Sequence, residues 1–332
     1  MSLSPHPSLD CLTSYSVRRE DTGCFFTSTQ KKDTRSHIRI SFPIMHTKKL
    51  WLVNVLAYVV NAVFVAASNL GGLGSTNAEV SDDNRTFITP ASWAFSIWGV
   101  IFLFELIFVV WGAFEANRDS RVVQEGVGWW FAIACVVQAA WSVVFAQELL
   151  VVSATLLCLI AFSLFMGVVS LSAIQYEEGI TACTLPYWGV YFPIGLHGGW
   201  TLAAALVNIN LALELTDVGG ELSAFILSVV LASVFALFSS LIFNNHPYLV
   251  GITWAIAGTV AEEDYRRERL GRDIADGVDG ALQTLRIALL VVGFAGVLYR
   301  IRKARTGSSL ALMENTHRIE GQDERTSAIA SA

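Results

Sequence analysis

The segment from Ser92 to Trp111 is the feature that most limits how this chain can fold. It is mostly apolar with one ionisable residue, Glu105, and it follows a proline, Pro90. Its length is close to the ~20 residues that a helix needs to cross the hydrocarbon core of a bilayer. Aromatic side chains cluster at its amino-terminal end, at Trp93, Phe95 and Trp98. The segment is therefore predicted to span a membrane.

The rest of the chain repeats this pattern. Hydrophobic residues make up 54% of the sequence and charged residues 15%, against roughly 25% charged residues in an average soluble domain. Eight apolar runs are separated by short polar connections, at residues 50–70, 92–114, 129–148, 150–173, 187–213, 222–243, 248–261 and 282–299. Only helices and closed barrels satisfy their backbone groups in lipid, and barrel strands would be about ten residues long with alternating polarity. The sequence predicts an all-α, polytopic transmembrane helix bundle.

The seventh run, residues 248–261, is shorter than a normal span. Three interpretations remain open at this point: a helix that tilts little, a helix that starts earlier within the connection 244–247, or a re-entrant segment.

Lysine and arginine placement predicts the orientation, because translocated loops are depleted of both. Basic residues precede the first run and follow the eighth, which predicts that both termini are cytoplasmic. The seventh connection conflicts with this assignment, because it would place several arginines on the opposite side, interspersed with acidic residues. These arginines are Arg266, Arg267, Arg269 and Arg272.

The chain divides into four predicted regions: a disordered cytoplasmic segment at 1–49, a five-helix core at 50–213, a three-helix extension at 214–303, and a disordered cytoplasmic tail at 304–332. Translation from Met45 instead of Met1 is an alternative that the sequence leaves open. The sequon at Asn84 is a candidate glycosylation site. The five cysteines show no metal-ligand spacing and are interpreted as buried thiols; they are Cys11, Cys24, Cys135, Cys158 and Cys183.

Polar residues inside the runs are the functional candidates, since such residues usually face the bundle or a cavity. Glu105 shares a helical face with Trp98 and Phe102, where it either lines a pocket or donates a hydrogen bond between helices. Gln138 precedes Trp141 by one turn in the third run. In the fifth run, polar groups lie near one face, at His197, Thr201 and Asn208.

Three deeply placed tryptophans, Trp98, Trp141 and Trp200, require partners for their indole N–H groups. Core packing and ligand contact are both open for these three. Trp93, close to the start of its run, is also consistent with an interfacial position.

Three sequence blocks resemble the TspO/MBR family, the tryptophan-rich sensory proteins related to the translocator protein. Pro90, Trp93, Phe95 and Trp98 resemble the family's loop and second-helix motif. Residues 136–147, VVQAAWSVVFAQ, resemble its third helix, and residues 185–208, LPYWGVYFPIGLHGGWTLAAALVN, resemble its fifth. The resemblance covers about residues 50–213, and the three remaining runs make this chain a longer, eight-span relative.

The resemblance implies a five-helix bundle with a hydrophobic ligand pocket inside its first five helices, in a family associated with tetrapyrroles and sterols. The carried-over lining candidates are Trp93, Phe95, Trp98, Trp141, Trp200 and Asn208. The chain departs from the family pattern at Ile97, Phe102, Gln138 and Glu105, so its ligand preference is expected to differ.

The leading hypothesis is an integral membrane protein that binds, senses or translocates a hydrophobic ligand such as a tetrapyrrole or sterol. Its expected partners are the lipid bilayer, the ligand and a second copy of the chain in a homodimer, with no nucleic acid and no required cofactor. The alternative is a proton-coupled secondary transporter of a small solute that uses Glu105 and His197. Oxidative turnover of a bound tetrapyrrole is a third reading, although the sequence offers no metal site or catalytic constellation for a conventional enzyme.

Overall fold

The structure, a computed structural model, describes residues 47–181, 184–299 and 302. The segment before residue 47 and the tail from residue 303, both predicted to be disordered, lie outside the described residues. Long helices follow one another through the described part of the chain, which contains no strand. They are α1 (Thr47–Asn69), α2 (Ile97–Trp111), α3 (Trp130–Ala146), α4 (Leu150–Glu178), α5 (Phe192–Leu215), α6 (Glu221–Leu241), α7 (His246–Ala261) and α8 (Arg272–Tyr299).

Six segments in the described part are long and apolar enough to cross a membrane: Lys48–Asn69, Ser92–Trp111, Leu150–Glu178, Tyr187–Leu215, Glu221–Leu241 and Arg272–Tyr299. The remaining two helices, α3 and α7, have 17 and 16 residues. Large apolar side chains of α1, α6 and α8 point outward, as a surface in contact with lipid requires, among them Leu56, Val63, Leu227, Val234, Val291 and Phe294. The predicted all-α, multi-pass membrane architecture is confirmed.

The connections between helices alternate between the two ends of the bundle. At one end, the Phe87 N–H, after α1, donates to the Glu221 carboxylate at the start of α6, and the Phe87 carbonyl oxygen accepts a hydrogen bond from Arg266 after α7. We call this the Pro90 end. At the other end, Arg121 after α2 forms an ion pair with Glu177 at the end of α4, and we call this the Arg121 end. This alternation is that of an up-and-down bundle.

Helix α7 runs from the Arg121 end to the Pro90 end and is not re-entrant. It begins at His246, because the Asn245 side chain accepts a hydrogen bond from the Tyr248 N–H and Pro247 occupies the first turn, both common helix-start features. At its far end, the Gly258 carbonyl accepts a hydrogen bond from the Ala91 N–H. The helix therefore starts two residues earlier than the apolar run does.

The backbones of α7 and α5 are in direct contact, because glycines on the two helices face each other. A Cβ atom at Gly251 would lie 2.6 Å from both the Leu196 carbonyl oxygen and the Trp200 nitrogen, and a Cβ atom at Gly199 would overlap the Tyr248 carbonyl oxygen. Small residues permit such close approach between membrane helices. The predicted boundary between core and extension therefore passes through a tightly packed helix pair.

The arginines of the seventh connection are largely neutralised within the fold. Arg266 is 1% exposed, pairs with Asp279, and donates to the carbonyl oxygens of Phe87 and Thr259. Arg267 pairs with Glu263 and Asp276. Because these charges have structural partners, they are weak indicators of a cytoplasmic connection.

We predict that Gly199→Ala lowers the free energy of unfolding by about 1–3 kcal/mol or more, because the added methyl group meets backbone that cannot rotate away. Thermal unfolding in detergent measures this loss. Gly99→Ala is the matched control, since a Cβ atom there meets nothing within 4 Å. Equal stability of the two variants would contradict the close α5–α7 contact.

Candidate functional site

A cavity lies toward the Pro90 end of the bundle. Its free volume is about 50 Å³, room for a few water molecules. Most of its lining is apolar, and it is enclosed by the connection after α1 together with α2, α3, α5, α6, α7 and α8. The lining includes Ile88, Pro90, Phe95, Trp98, Trp141, Trp200, Asn208, Ala232, Ile256 and Leu282.

The connection before α2 places two aromatic residues on the cavity wall. A short 3₁₀ helix, Ser92–Ser96, precedes α2. It is positioned by the hydrogen bond between Ala91 and Gly258 and by a second bond from the Trp254 indole to the Ala94 carbonyl oxygen, 2.9 Å long. Phe95 and Trp98 consequently enter the cavity next to α7.

Aromatic rings of the lining contact one another, and Trp200 packs edge to face with two of them. Trp200 lies at the centre, with its ring centroid 5.9 Å from that of Phe95 and 6.0 Å from that of Trp98, at interplanar angles of 89° and 88°. Trp98 is also 6.3 Å from Trp141. Edge-to-face geometry is the favoured arrangement of aromatic pairs, so these rings form one connected wall.

A buried hydrogen-bond chain fixes two of the predicted lining residues. The Trp141 indole N–H donates to the Ser153 hydroxyl over 2.8 Å, and that hydroxyl donates to the Asn208 amide oxygen over 2.6 Å. The Asn208 amide also donates to the Ala204 carbonyl oxygen. Trp141 and Asn208 thus present apolar surface to the cavity while their polar atoms join α3, α4 and α5.

Two other indoles in the wall retain a free donor. Trp98 and Trp200 are 3% and 2% exposed, and the Nε1 atom of each has no hydrogen-bond partner among the described residues. Burying an N–H group without an acceptor costs about 1–3 kcal/mol. These two indole N–H groups are therefore available to donate a hydrogen bond to a ligand in the cavity.

Glu105 and His197 lie behind the aromatic wall and are absent from the cavity lining. Glu105 Oε1 and His197 Nδ1 are 2.6 Å apart, and both side chains are fully buried. The His197 ring stands edge-on to Trp98 with centroids 5.7 Å apart. The contact joins α2 to α5 through one hydrogen bond.

The other predicted site residues lie elsewhere. Gln138 accepts a hydrogen bond from Asn61 over 3.0 Å, which joins α3 to α1 away from the lining. Trp93 is 46% exposed and packs against Trp254 with centroids 5.1 Å apart. The structure thus brings five predicted residues to one cavity and leaves four outside it; the five are Phe95, Trp98, Trp141, Trp200 and Asn208.

Sequence reasoning missed the contribution of the last three helices. Ala232 on α6, Ile256 on α7 and Leu282 on α8 all line the cavity. The expected enclosure by the first five helices alone is therefore too narrow. These residues are ordinary apolar side chains in apolar helices, and the glycines of α5 and α7 were the available signal of their approach.

The remaining candidates have structural positions without ligand contacts. The described part of the chain contains no group of three or more His, Cys, Asp or Glu side chains that could hold a metal ion. Cys135 is buried and Cys158 is exposed, while Cys11, Cys24 and Cys183 lie outside the described residues. Asn84 lies at the Pro90 end, where its side chain donates to the Val80 carbonyl oxygen.

Comparison with known proteins supplies the family. The sequence model described as TSPO-like protein matches residues 51–298, which is most of the chain. This protein belongs to the TSPO-like family. The matched region includes α6, α7 and α8, so the family's sequence pattern extends beyond the five-helix core of the resemblance. Searches of curated proteins and of solved structures gave no match.

We predict that Ser153→Ala destabilises this TSPO-like protein by about 1–2 kcal/mol, because it leaves the Trp141 donor and the Asn208 acceptor unpaired in the membrane interior. Thermal unfolding in detergent measures the change. Thr155→Ala on the same helix is the control, since its exposed hydroxyl bonds only to Val151 of its own helix. A Ser153→Ala protein as stable as this control would contradict a stabilising role for the hydrogen bonds from Trp141 through Ser153 to Asn208.

Proposed function

We propose that this TSPO-like membrane protein binds a rigid hydrophobic ligand in the cavity lined by Phe95, Trp98 and Trp200, and that it senses or translocates this ligand. One observation carries the proposal: Trp98 and Trp200, whose buried indole N–H groups have no partner among the described residues, line a mostly apolar cavity. Aromatic faces would contact the ring system, and the indole N–H groups would donate to an oxygen or nitrogen acceptor on the ligand.

The size of the cavity sets a further condition. Ligand sites for drug-sized molecules commonly enclose about 300–1,000 Å³, so a tetrapyrrole or sterol requires the walls to separate. Helix α6 can supply this movement, because it contacts the cavity through Val229 and Ala232 while neighbouring side chains, Ile226, Leu227 and Val230, point outward. Movement of α6 would admit a hydrophobic ligand from the lipid.

A thermal-shift screen tests the ligand class, with porphyrins, sterols and bilins compared at equal concentration on detergent-purified protein. A ligand present at 100 times its Kd stabilises the folded state by about 2.7 kcal/mol. We expect one class to raise the unfolding temperature above the others. The absence of stabilisation by all three classes would reject the proposal.

The double variant Trp98→Phe with Trp200→Phe tests the two donors. It keeps two aromatic rings and removes both N–H groups, so we expect the best ligand to bind roughly 5- to 150-fold more weakly, from about 0.5–1.5 kcal/mol for each hydrogen bond. Trp93→Phe is the control, because Trp93 lies outside the cavity. Equal affinity of the double variant and the control would contradict the role of the donors.

Proton-coupled transport of a small solute is a second candidate function, favoured by the Glu105–His197 contact inside the membrane. Ionisable residues at such positions commonly take part in proton movement. Solute uptake into proteoliposomes that is driven by a pH gradient and abolished by Glu105→Gln would support it. Undiminished uptake by Glu105→Gln would exclude this role for the carboxyl group.

We also propose that the Arg121 end faces the cytoplasm. Lys48 and Lys49 lie at this end, at the start of α1, and positively charged residues favour the cytoplasmic side of a membrane. Arg118 and Arg121 also lie there, paired with acidic side chains, as are arginines at the Pro90 end. In sealed vesicles of known sidedness, a membrane-impermeant maleimide should label Asp83→Cys and Asp119→Cys from opposite sides, since both positions are exposed. Labelling of Asp119→Cys from the non-cytoplasmic side would invert the orientation.

A further inference from the structure

The Glu105–His197 contact has no counterpart elsewhere inside the described bundle. Both side chains are fully buried, and their hydrogen bond is 2.6 Å long. Each retains a second polar atom, Glu105 Oε2 and His197 Nε2, without a partner among the described residues. The uncharged Asn61–Gln138 pair, which joins α1 to α3, also keeps an unpartnered atom on each side chain. What distinguishes the Glu105–His197 pair is that both of its members can gain or lose a proton.

The surroundings supply no compensating charge. Tyr58 on α1 and Cys135 on α3 are the titratable groups near Glu105. On α7, Tyr248 packs against Gly198 and Gly199, which follow His197 in the chain. On α4, Cys158 is exposed at the surface of the bundle. Lysine, arginine and aspartate are absent from the described interiors of α1 to α5. Any net charge at this depth of the bundle therefore depends on the protonation of Glu105 and His197.

The electrostatics of a buried pair favour one shared proton. With one proton, the carboxyl and imidazole groups carry no net charge, either as a neutral pair or as an ion pair. Loss of that proton leaves a carboxylate, and gain of another leaves an imidazolium, each uncompensated in a medium of low dielectric constant. The bundle as folded consequently stabilises the singly protonated pair.

Trp98 connects the pair to the cavity. Its ring is 5.7 Å from the His197 ring on one side and 6.0 Å from the Trp200 ring on the other, and it lines the cavity itself. A charge change at His197 alters the interaction with the Trp98 ring, since aromatic faces attract cations. Any shift of Trp98 then changes the surface that a ligand contacts.

We propose that Glu105 and His197 form a proton-binding site whose occupancy holds Trp98 in the cavity wall and thereby regulates ligand affinity. The regulatory part rests on the ligand-binding function proposed above, whereas proton binding and its effect on Trp98 do not. Proton loss leaves a carboxylate that attracts water between α2 and α5 and displaces Trp98 from the surface that the ligand contacts, whereas the separation needed for ligand entry is that of α6. Affinity therefore falls as pH rises, and by reciprocity a bound ligand strengthens proton binding.

Tryptophan emission of the ligand-free protein tests the proton site directly. A titration of the wild-type protein between about pH 5 and about pH 9.5 should show a change that Glu105→Gln abolishes; this range includes about 6.5, the ordinary pKa of a histidine side chain. Trp98→Phe should also abolish it, which identifies Trp98 as the reporter. His197→Gln should abolish the change in emission as well. The same profile in the wild type and Glu105→Gln, or no change in the wild type, would overturn the proposal.

The ligand experiment uses cholesterol, because it has no group that titrates in this range. We expect its Kd to rise at least about fivefold from the acidic to the alkaline limit in the wild type and to stay constant in Glu105→Gln. A constant Kd in the wild type would overturn the regulatory part. If neither cholesterol nor any other screened class binds, the ligand-binding function fails, while the emission titration still decides the proton site.

His246→Gln is the matched control for these titrations. His246 is the other histidine within the described helices, it contacts Ser240 at the Arg121 end, and it does not line the cavity. Its loss should leave both the emission profile and the pH dependence of cholesterol binding unchanged. If it removed the emission change as well, the proton site could not be assigned to Glu105 and His197.

Discussion

The backbone contact between α5 and α7 is the constraint on which the arrangement of this protein depends. Gly199 and Gly251 let the two helices meet without intervening side chains. Van der Waals packing of this kind is a main source of helix association in lipid, where the hydrophobic effect between helices is absent. The contact brings the end of α7 to Ala91 and Ala94, so the connection before α2 is held where its aromatic residues reach the cavity.

The polar groups of the interior fall into two kinds with different consequences. In the chain from Trp141 through Ser153 to Asn208, each bond has both a donor and an acceptor, and such a chain fixes helices in one arrangement. Trp98, Trp200, Glu105 and His197 retain unpartnered atoms. Satisfied groups hold the framework, while these four residues, which lie next to one another around Trp98, have atoms available to a ligand or a proton. Other buried side chains of the described residues, such as Asn54 and Asn210, also keep an unpartnered atom.

Much of the fold was accessible from hydropathy alone. All eight apolar runs correspond to helices, because the requirement to satisfy backbone groups in lipid leaves few alternatives. The seventh run was ambiguous, since its 14 apolar residues resemble either a short span or a re-entrant segment, and the cap at Asn245 decides the point. The arginines of the following connection are a poor guide to its side of the membrane, because Arg266 makes its bonds within the fold.

The sequence by itself determined the membrane class, the family resemblance and the aromatic character of the pocket, because length, composition and short-range spacing are local properties. Only the tertiary structure decided that Phe95, Trp98 and Trp200 share one cavity while Trp93 and Gln138 lie outside it. It also decided that Glu105 meets His197, 92 positions away in the chain. Such contacts depend on how helices rotate and approach one another, and glycine-lined surfaces set that approach in this protein.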